Sequence, residues 1–288
     1  MEQLSDWVPS IQIQKLVFLV TDNQDDRVYD FMPYKYGCYS MQLSQDLRNL
    51  TKDGYLLCED DGPTHRYKIS RNDLKLSKLI EDRDNRVIVR IIKRFANMPI
   101  NDLIRYTYQN YPFFAINSRM AKDILSESEY YHIVKQRPHK EESSLMTIGY
   151  EGLSLEQYIV ILLRNDVRVL CDVRKNAYSQ KFGFSKNQLA KACDGAGILY
   201  EHIPNLGIVS EKRKDLRSQS DYNTLFDEYE LTTLAGARDE LNHIFMLLQK
   251  EKRIALTCFE HDPLQCHRSR IAKKLISIPQ CNYTLVNL

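Results

Sequence analysis

The second half of the chain reads as an α/β domain, a Rossmann-like, mainly parallel five-stranded sheet flanked by helices. The first half reads as a mostly helical winged-helix domain. Two observations carry this. From residue 145 onward, short β-rich runs alternate with longer helical patterns, the order of a parallel sheet covered on both faces. Earlier, two amphipathic helices precede a hairpin pattern, the order of a winged helix-turn-helix. A length of 288 residues suits two domains, assigned to residues 1–140 and 145–288.

In chain order, Ile11, Lys15, Leu16, Phe18 and Leu19 share one face of a first helix. Leu43, Leu47 and Leu50 share a face of a second, which starts near Ser40 and stops at Asp53-Gly54. Residues 55–58 and 65–69, joined through Asp60-Asp61-Gly62-Pro63, pair as a hairpin. Residues 73–140 carry helical stripes from Leu74, Leu76, Leu79, Ile80, Val87, Ile88, Ile91 and Ile92. The polar, nonperiodic stretch Pro138-His139-Lys140-Glu141-Glu142-Ser143-Ser144 is the expected linker. Strands follow at 145–148, 167–172, 199–203, 253–258 and 283–286, and helices at 155–163, 186–193, 234–249 and 267–277. Ser154 and Ser185 stand where helix N-caps belong. The long insertion between Pro204 and Leu234 breaks the rhythm, and its run Ser210–Asp215 is expected to form either a mobile loop over one end of the sheet or a plain solvated loop.

No apolar run approaches the roughly 18 residues that span a bilayer, and Met1-Glu2-Gln3-Leu4-Ser5-Asp6 is no basic signal-peptide start. A cytoplasmic protein without a membrane partner is expected. Seven cysteines, odd in number and widely spaced, argue for reduced thiols. Charge is uneven: residues 1–61 hold 5 Lys/Arg against 11 Asp/Glu, residues 62–140 hold 16 against 8, and residues 141–288 hold 19 of each. The middle segment, at +8, is the candidate for a polyanion. Arg66, Lys68 and Arg71 are the expected nucleic-acid contacts on and beside the hairpin.

In an open parallel sheet the functional crevice lies outside the carboxyl ends of the strands. That edge collects Gly149-Tyr150-Glu151-Gly152, Asp172-Val173-Arg174, Pro204-Asn205-Leu206-Gly207, Cys258-Phe259-Glu260 and Cys266-His267-Arg268. Asp172, Glu260 and Arg174 are the candidate catalytic residues. A carboxylate beside Cys258 and Phe259 is partly desolvated, as a general acid or base requires, whereas Asp172 and Arg174 could equally pair with each other. Gly149, Tyr150, Glu151, Tyr178, Ser179, Cys266, His267 and Arg268 are candidates for substrate or phosphate. A helix starting near Cys266 offers amides and Arg268 a fork of donors. Adjacent residues opening a helix point about 100° apart, so His267 is not expected to reach the Cys266 sulfur. The spacing of Cys258, His261, Cys266 and His267 lacks the two separated ligand pairs usual for zinc, so neither metal nor other cofactor is expected.

Three blocks, Thr147-Ile148-Gly149-Tyr150-Glu151-Gly152, Cys171-Asp172-Val173-Arg174 and Cys258-Phe259-Glu260-His261-Asp262-Pro263-Leu264-Gln265-Cys266-His267-Arg268-Ser269, resemble the signature blocks of the DUF488 family. The resemblance covers about half the chain and implies a fold and a site, not a reaction. Lys175-Asn176-Ala177-Tyr178-Ser179 departs from it, since the family often has proline before the serine. Tyr29-Asp30-Phe31-Met32-Pro33-Tyr34-Lys35-Tyr36-Gly37-Cys38-Tyr39-Ser40, followed by Gly54-Tyr55-Leu56, resembles prophage-associated winged-helix modules found in toxin–antitoxin contexts.

The function expected from these residues is metal-independent hydrolysis of an N-glycosidic bond in natural or modified DNA, with DNA favoured over RNA as the partner. Such chemistry needs a carboxylate to position water, donors for phosphates, and aromatic surfaces such as Tyr150, Tyr178 or Phe182 for an extruded base. The alternatives are a nuclease and a ligand-responsive regulator whose α/β half binds a nucleotide without turnover. Oligomeric state is left open.

Overall fold

In a computed structural model, which describes residues 7–61, 64–70, 78–214, 216–278 and 283–288, the chain divides into two compact units, Met1–Arg137 and Pro138–Leu288.

The first unit is helix-rich with small sheets. Its elements are β1 (Val8–Pro9), α1 (Ser10–Asp22), the hairpin β2 (Met32–Tyr34) and β3 (Gly37–Tyr39), α2 (Met41–Lys52), β4 (Leu56–Asp61) and β5 (Thr64–Ile69). Then come α3 (Asp82–Phe95), α4 (Ile100–Asn110), α5 (Ala121–Ile124) and α6 (Glu127–Gln136). Ser40 caps α2 by accepting from the Leu43 amide, which turns Leu43 and Leu47 inward; Leu50 lies beyond the core and is exposed. Strand β5 pairs with both β4 and β1, giving the order β1-β5-β4. The hairpin β2–β3 was not legible in the periodicity. Its turn depends on Gly37, whose φ of +88° suits glycine and whose missing Cβ leaves room for the Tyr108 ring and the Lys15 amine. Lys15 is buried and donates to the carbonyls of Tyr36 and Cys38. Leu79 and Ile80 are exposed, and among the described residues the helical stripe is seen from Val87 and Ile91 in α3 onward. Leu74, Leu76, Arg71 and the turn residues Gly62-Pro63 lie outside the described residues.

The second unit contains β6 (Ser144–Gly149), α7 (Leu155–Arg164), β7 (Val169–Asp172), α8 (Lys186–Ala196) and β8 (Leu199–His202), then α9 (Gln219–Tyr229), α10 (Arg238–Glu251), β9 (Arg253–Cys258), α11 (Arg268–Ile276) and β10 (Thr284–Asn287). All five strands are parallel, in the order β10-β6-β9-β7-β8. Strands β6, β7 and β9 are buried along their whole length, which is why they read as nearly continuous apolar runs. Ser154 forms a reciprocal capping box with Gln157 at the start of α7, whereas Ser185 makes no side-chain cap bond to α8 and instead holds Ser179.

One expectation needs correction. Residues 204–234 are not one loop: they contain α9, a 3-10 turn at Ser210–Arg213 and a π-helical turn at Glu230–Leu234. A Ser218–Asp221 capping box starts α9, and Leu225, Phe226 and Tyr229 seat it on the core. The expected linker at 138–144 starts where the two units divide, and it is held along the second unit. Ser144 opens β6, the Lys140 amide donates to Asp166, and buried Arg253 donates to the Glu142 carbonyl. Among the described residues no helix is long and apolar enough to cross a membrane.

Candidate functional site

Two glycines bring the segments after the strands together, Gly149 joining those after β6 and β9 and Gly207 those after β7 and β8. A Cβ on Gly149 would overlap the Glu260 carbonyl oxygen and sit 3.0 Å from the His261 Cα. One on Gly207 would sit 2.7 Å from the Arg174 carbonyl carbon. Glycine at these places lets the strand ends touch backbone to backbone. The Glu151 amide then donates to the Phe259 carbonyl (2.9 Å) and the Glu151 carboxylate accepts from the His261 amide (3.0 Å), tying the loop after β6 to the loop after β9.

Asp172 and Arg174 are brought together and closed upon each other. Asp172 is fully buried; its Oδ1 accepts from Arg174 Nε (2.8 Å) and the Arg174 amide (3.2 Å), and its Oδ2 from Arg174 Nη2 (2.5 Å) and the Tyr200 hydroxyl (2.6 Å). Arg174 Nη1 donates to the Tyr150 hydroxyl (2.8 Å) and the Phe184 carbonyl (2.9 Å). Burial works against the Arg174 cation, but the Asp172 carboxylate outweighs it and raises its pKa. Burial and the same carboxylate raise the Tyr200 phenol. With every oxygen and the guanidinium fork occupied, this pair holds the strand ends in place, and its carboxylate has no face left for water.

Tyr150 is equally enclosed. Its ring stacks on Phe184 (4.2 Å, 9°), meets Phe259 edge-on (5.3 Å) and lies under the Arg174 guanidinium (5.1 Å). It supports the site and is not an open platform for a base. In the segments after β7 and β9, Tyr178 (73%) and Phe259 (41%) are exposed aromatic surfaces. Ser179 is held by the Ser185 hydroxyl at its amide and accepts from the Lys181 amide, while Lys181 Nζ reaches the Tyr150 carbonyl.

Glu260 is different. One carboxylate oxygen is ion-paired with Arg213, from the 3-10 turn after β8. The other, Oε2, is buried and has no hydrogen-bond partner among the described residues. Burial and the neighbouring Cys258 sulfur raise the Glu260 carboxyl, with Arg213 pulling the other way. Arg213 also approaches the Cys258 Sγ at 4.0 Å. Sequence reasoning missed Arg213, because only the fold brings it across 47 positions to Glu260.

The angular argument against His267 fails for a local reason. Cys266 is extended (φ −134°, ψ 134°) and precedes α11 instead of lying in it, so the 100° helical step does not apply. The His267 Nδ1 lies 3.9 Å from the Cys266 Sγ and 3.8 Å from the Cys258 Sγ, and its Nε2 bonds the Val173 carbonyl at 3.1 Å. A hydrogen bond from the Cys266 thiol, aided by His267 and Arg213, holds the Cys258 thiol well below the usual range against the effect of burial. Burial and the Cys258 sulfur push Cys266 up. Burial would lower the imidazole, but the Cys258 sulfur outweighs it and raises His267.

Arg268, expected to hold phosphate, has both terminal nitrogens on backbone carbonyls, while its buried Nε has no hydrogen-bond partner among the described residues. It is buried, with Nη1 on the Glu260 carbonyl (2.5 Å) and Nη2 on the His261 carbonyl (3.0 Å), so it pins the loop that carries Glu260. The Ser269 amide at the start of α11 is likewise occupied, by the Cys266 carbonyl (3.2 Å). A cleft of about 200 Å³ beside the site is lined by Lys175, Gly207, Lys212, Glu228 and Tyr229. In the first unit Arg66 and Lys68 lie on β5, with Arg66 beside Glu59 (3.8 Å).

The family model described as a domain of unknown function, DUF488, matches residues 154–275. The second unit therefore carries a DUF488 domain. The match contains the Asp172 and Glu260 blocks and starts after the Gly149 block, which the structure joins to them. No curated protein and no solved structure matches the chain.

Proposed function

We propose that this DUF488 domain is the catalytic part of a hydrolase acting on the base–sugar bond of a nucleic acid, with Glu260 as the catalytic carboxylate. The observation that carries this reading is the Glu260 Oε2, a buried carboxylate oxygen without a partner among the described residues, at the edge where the strand ends meet. A buried acceptor left unsatisfied is costly and is kept where it serves chemistry. Glu260 orients a water at the anomeric carbon; the C–N bond breaks, the C–O bond forms, and the base leaves with a proton. Exposed Phe259 and Tyr178 offer faces for an extruded base. Asp172, Arg174 and Arg268 position the loops.

Support for a polyanionic substrate comes from α3, where Arg83, Arg86, Arg90, Lys93 and Arg94 are all exposed. Cations so placed suit phosphate contacts, which release counterions and make affinity fall steeply with salt.

The test incubates the full chain with natural and base-modified DNA and follows free base, abasic sites and strand breaks separately. Free base without breaks is expected, and Glu260→Gln should lower turnover by about two orders of magnitude or more while leaving binding intact, since the amide keeps the shape and loses the charge. Breaks with intact bases would make the domain a nuclease. The lysine-lined cleft favours the regulator reading if no product forms and a nucleotide instead raises the melting temperature and alters duplex binding.

A further inference from the structure

The strand-end edge carries a set of donors that the hydrolysis above does not use. Cys258 Sγ, Cys266 Sγ and His267 Nδ1 are buried and lie within 4.8 Å of one another. They come from two segments of different geometry, the end of β9 and the extended residue before α11, so they approach one point from different sides.

The distances suit a shared ion. Zinc–sulfur bonds near 2.3 Å and a zinc–nitrogen bond near 2.05 Å, at the tetrahedral angle, put sulfur and nitrogen about 3.6 Å apart. The two observed separations are 3.8 and 3.9 Å. The imidazole is also set correctly. Its Nε2 faces the Val173 carbonyl, which can only accept, so Nε2 carries the proton and the neutral ring turns the Nδ1 lone pair toward both sulfurs. A backbone carbonyl behind the ring is the usual support of a metal-binding histidine. Charge closes as well: two thiolates, the Glu260 carboxylate, the Arg213 guanidinium and a divalent cation sum to neutrality, and Arg213 touches both Glu260 and Cys258.

The geometry points to a three-residue site, Cys258, Cys266 and His267, for a zinc-class divalent ion whose fourth position is open to a non-protein ligand. No other His, Cys, Asp or Glu among the described residues joins the group. Three protein ligands with an open position are the pattern of catalytic zinc, whereas structural zinc is closed by four. Glu260 lies two residues after a ligand and outside the set. A glutamate so placed moves the proton of the metal-held water in zinc enzymes that hydrolyse nucleobases with one histidine and two cysteines as ligands. The spacing that argued against zinc counted ligands along the chain; the fold counts them in space.

The ion can be measured without any substrate, so this assignment stands or falls separately from the reaction above. Full-length protein, purified reduced in zinc-containing buffer and then desalted, is analysed for metal and titrated with cobalt(II) after chelation. Stoichiometric zinc is expected, with intense thiolate-to-cobalt absorption and the visible bands of a tetrahedral ion. Cys258→Ser, Cys266→Ser and His267→Asn should each bring metal to background, and Glu260→Gln should retain it. If the ligand variants do not fold, the cobalt spectrum of the unsubstituted chain still decides. Folded protein without stoichiometric metal or cobalt bands, or a Cys258–Cys266 disulfide in reduced preparations, overturns the site. Metal lost from folded Glu260→Gln overturns the open fourth position.

Discussion

Asp172→Asn separates a scaffolding role for the Asp172–Arg174 pair from a catalytic one. The substitution keeps the shape and leaves Oδ1 able to accept from the Arg174 amide and Nε. At the other position an NH2 group replaces Oδ2 and faces two donors, Arg174 Nη2 and the Tyr200 hydroxyl. The hydroxyl can rotate and accept; the guanidinium cannot. One charge-assisted hydrogen bond is lost and a buried cation loses its counter-ion, together a cost of about 3 kcal/mol. For a unit of this size each kcal/mol moves the melting temperature by about 2–4 °C, so a fall of about 6–12 °C is expected. The single tryptophan, Trp7, lies in the first unit, so its fluorescence follows that unit while far-ultraviolet circular dichroism follows both. The dichroism transition should move and the fluorescence transition should not. Tyr200→Phe, which removes one hydroxyl and keeps the ion pair, should cost about 1 kcal/mol. An unchanged melting curve with turnover abolished would refute the scaffold argument and return Asp172 to the reacting groups.

Gly149→Ala should destabilise the second unit by about 1–3 kcal/mol or more and loosen the Glu260 loop, because its Cβ meets backbone that cannot step aside. Gly152→Ala, at φ +80° with open space around it, should cost only about 1 kcal/mol of backbone strain; thermal melts with hydrogen exchange over residues 259–266 compare the two. The first unit should lose stability in alkali. Burial, chiefly, pushes the phenols of Tyr29, Tyr67 and Tyr108 up to about 12. The folded unit thus keeps protons that an unfolded chain, with phenols near 10, gives up. This stability is complete below about pH 10 and is lost as pH rises toward 12, which Trp7-monitored denaturant midpoints at stepped pH will follow. Midpoints that hold steady across that range would contradict the burial of these phenols.

The five strands could be read in the sequence because β6, β7 and β9 are covered on both faces and carry the apolar runs that such burial demands. The gathering of polar segments at one edge could be read for the same reason, since in a parallel sheet the residues that follow each run share one side. What could not be read depends on rotation and on distance along the chain. Asp172 and Arg174 looked like reactive groups because their saturation by Tyr200, Tyr150 and the Phe184 carbonyl involves positions up to 28 apart. Cys266 looked helical because Asp262-Pro263 starts a 3-10 turn that leaves the next residue extended, a change of one residue in the helix start. Helix α9 was hidden by the charged run before it, although its Ser218–Asp221 box and the inward trio Leu225, Phe226 and Tyr229 are visible in retrospect.

The position of β9 between β6 and β7 governs how the second unit comes into being. Neither of the two earlier strands pairs with the other; β6 bonds only to β10 and β9, and β7 only to β8 and β9. A chain emerging from the ribosome can form β7 beside β8, but β6 stays without a neighbour until residues 253–258 arrive and wedge into the gap. Assembly of the sheet is therefore deferred to nearly the end of synthesis, and a chain interrupted before Arg253 is left with open, apolar strand edges. The same six residues end in Cys258 and deliver Glu260. The unit therefore acquires its central strand and the carboxylate proposed to act in it in one event, and a half-made domain has neither.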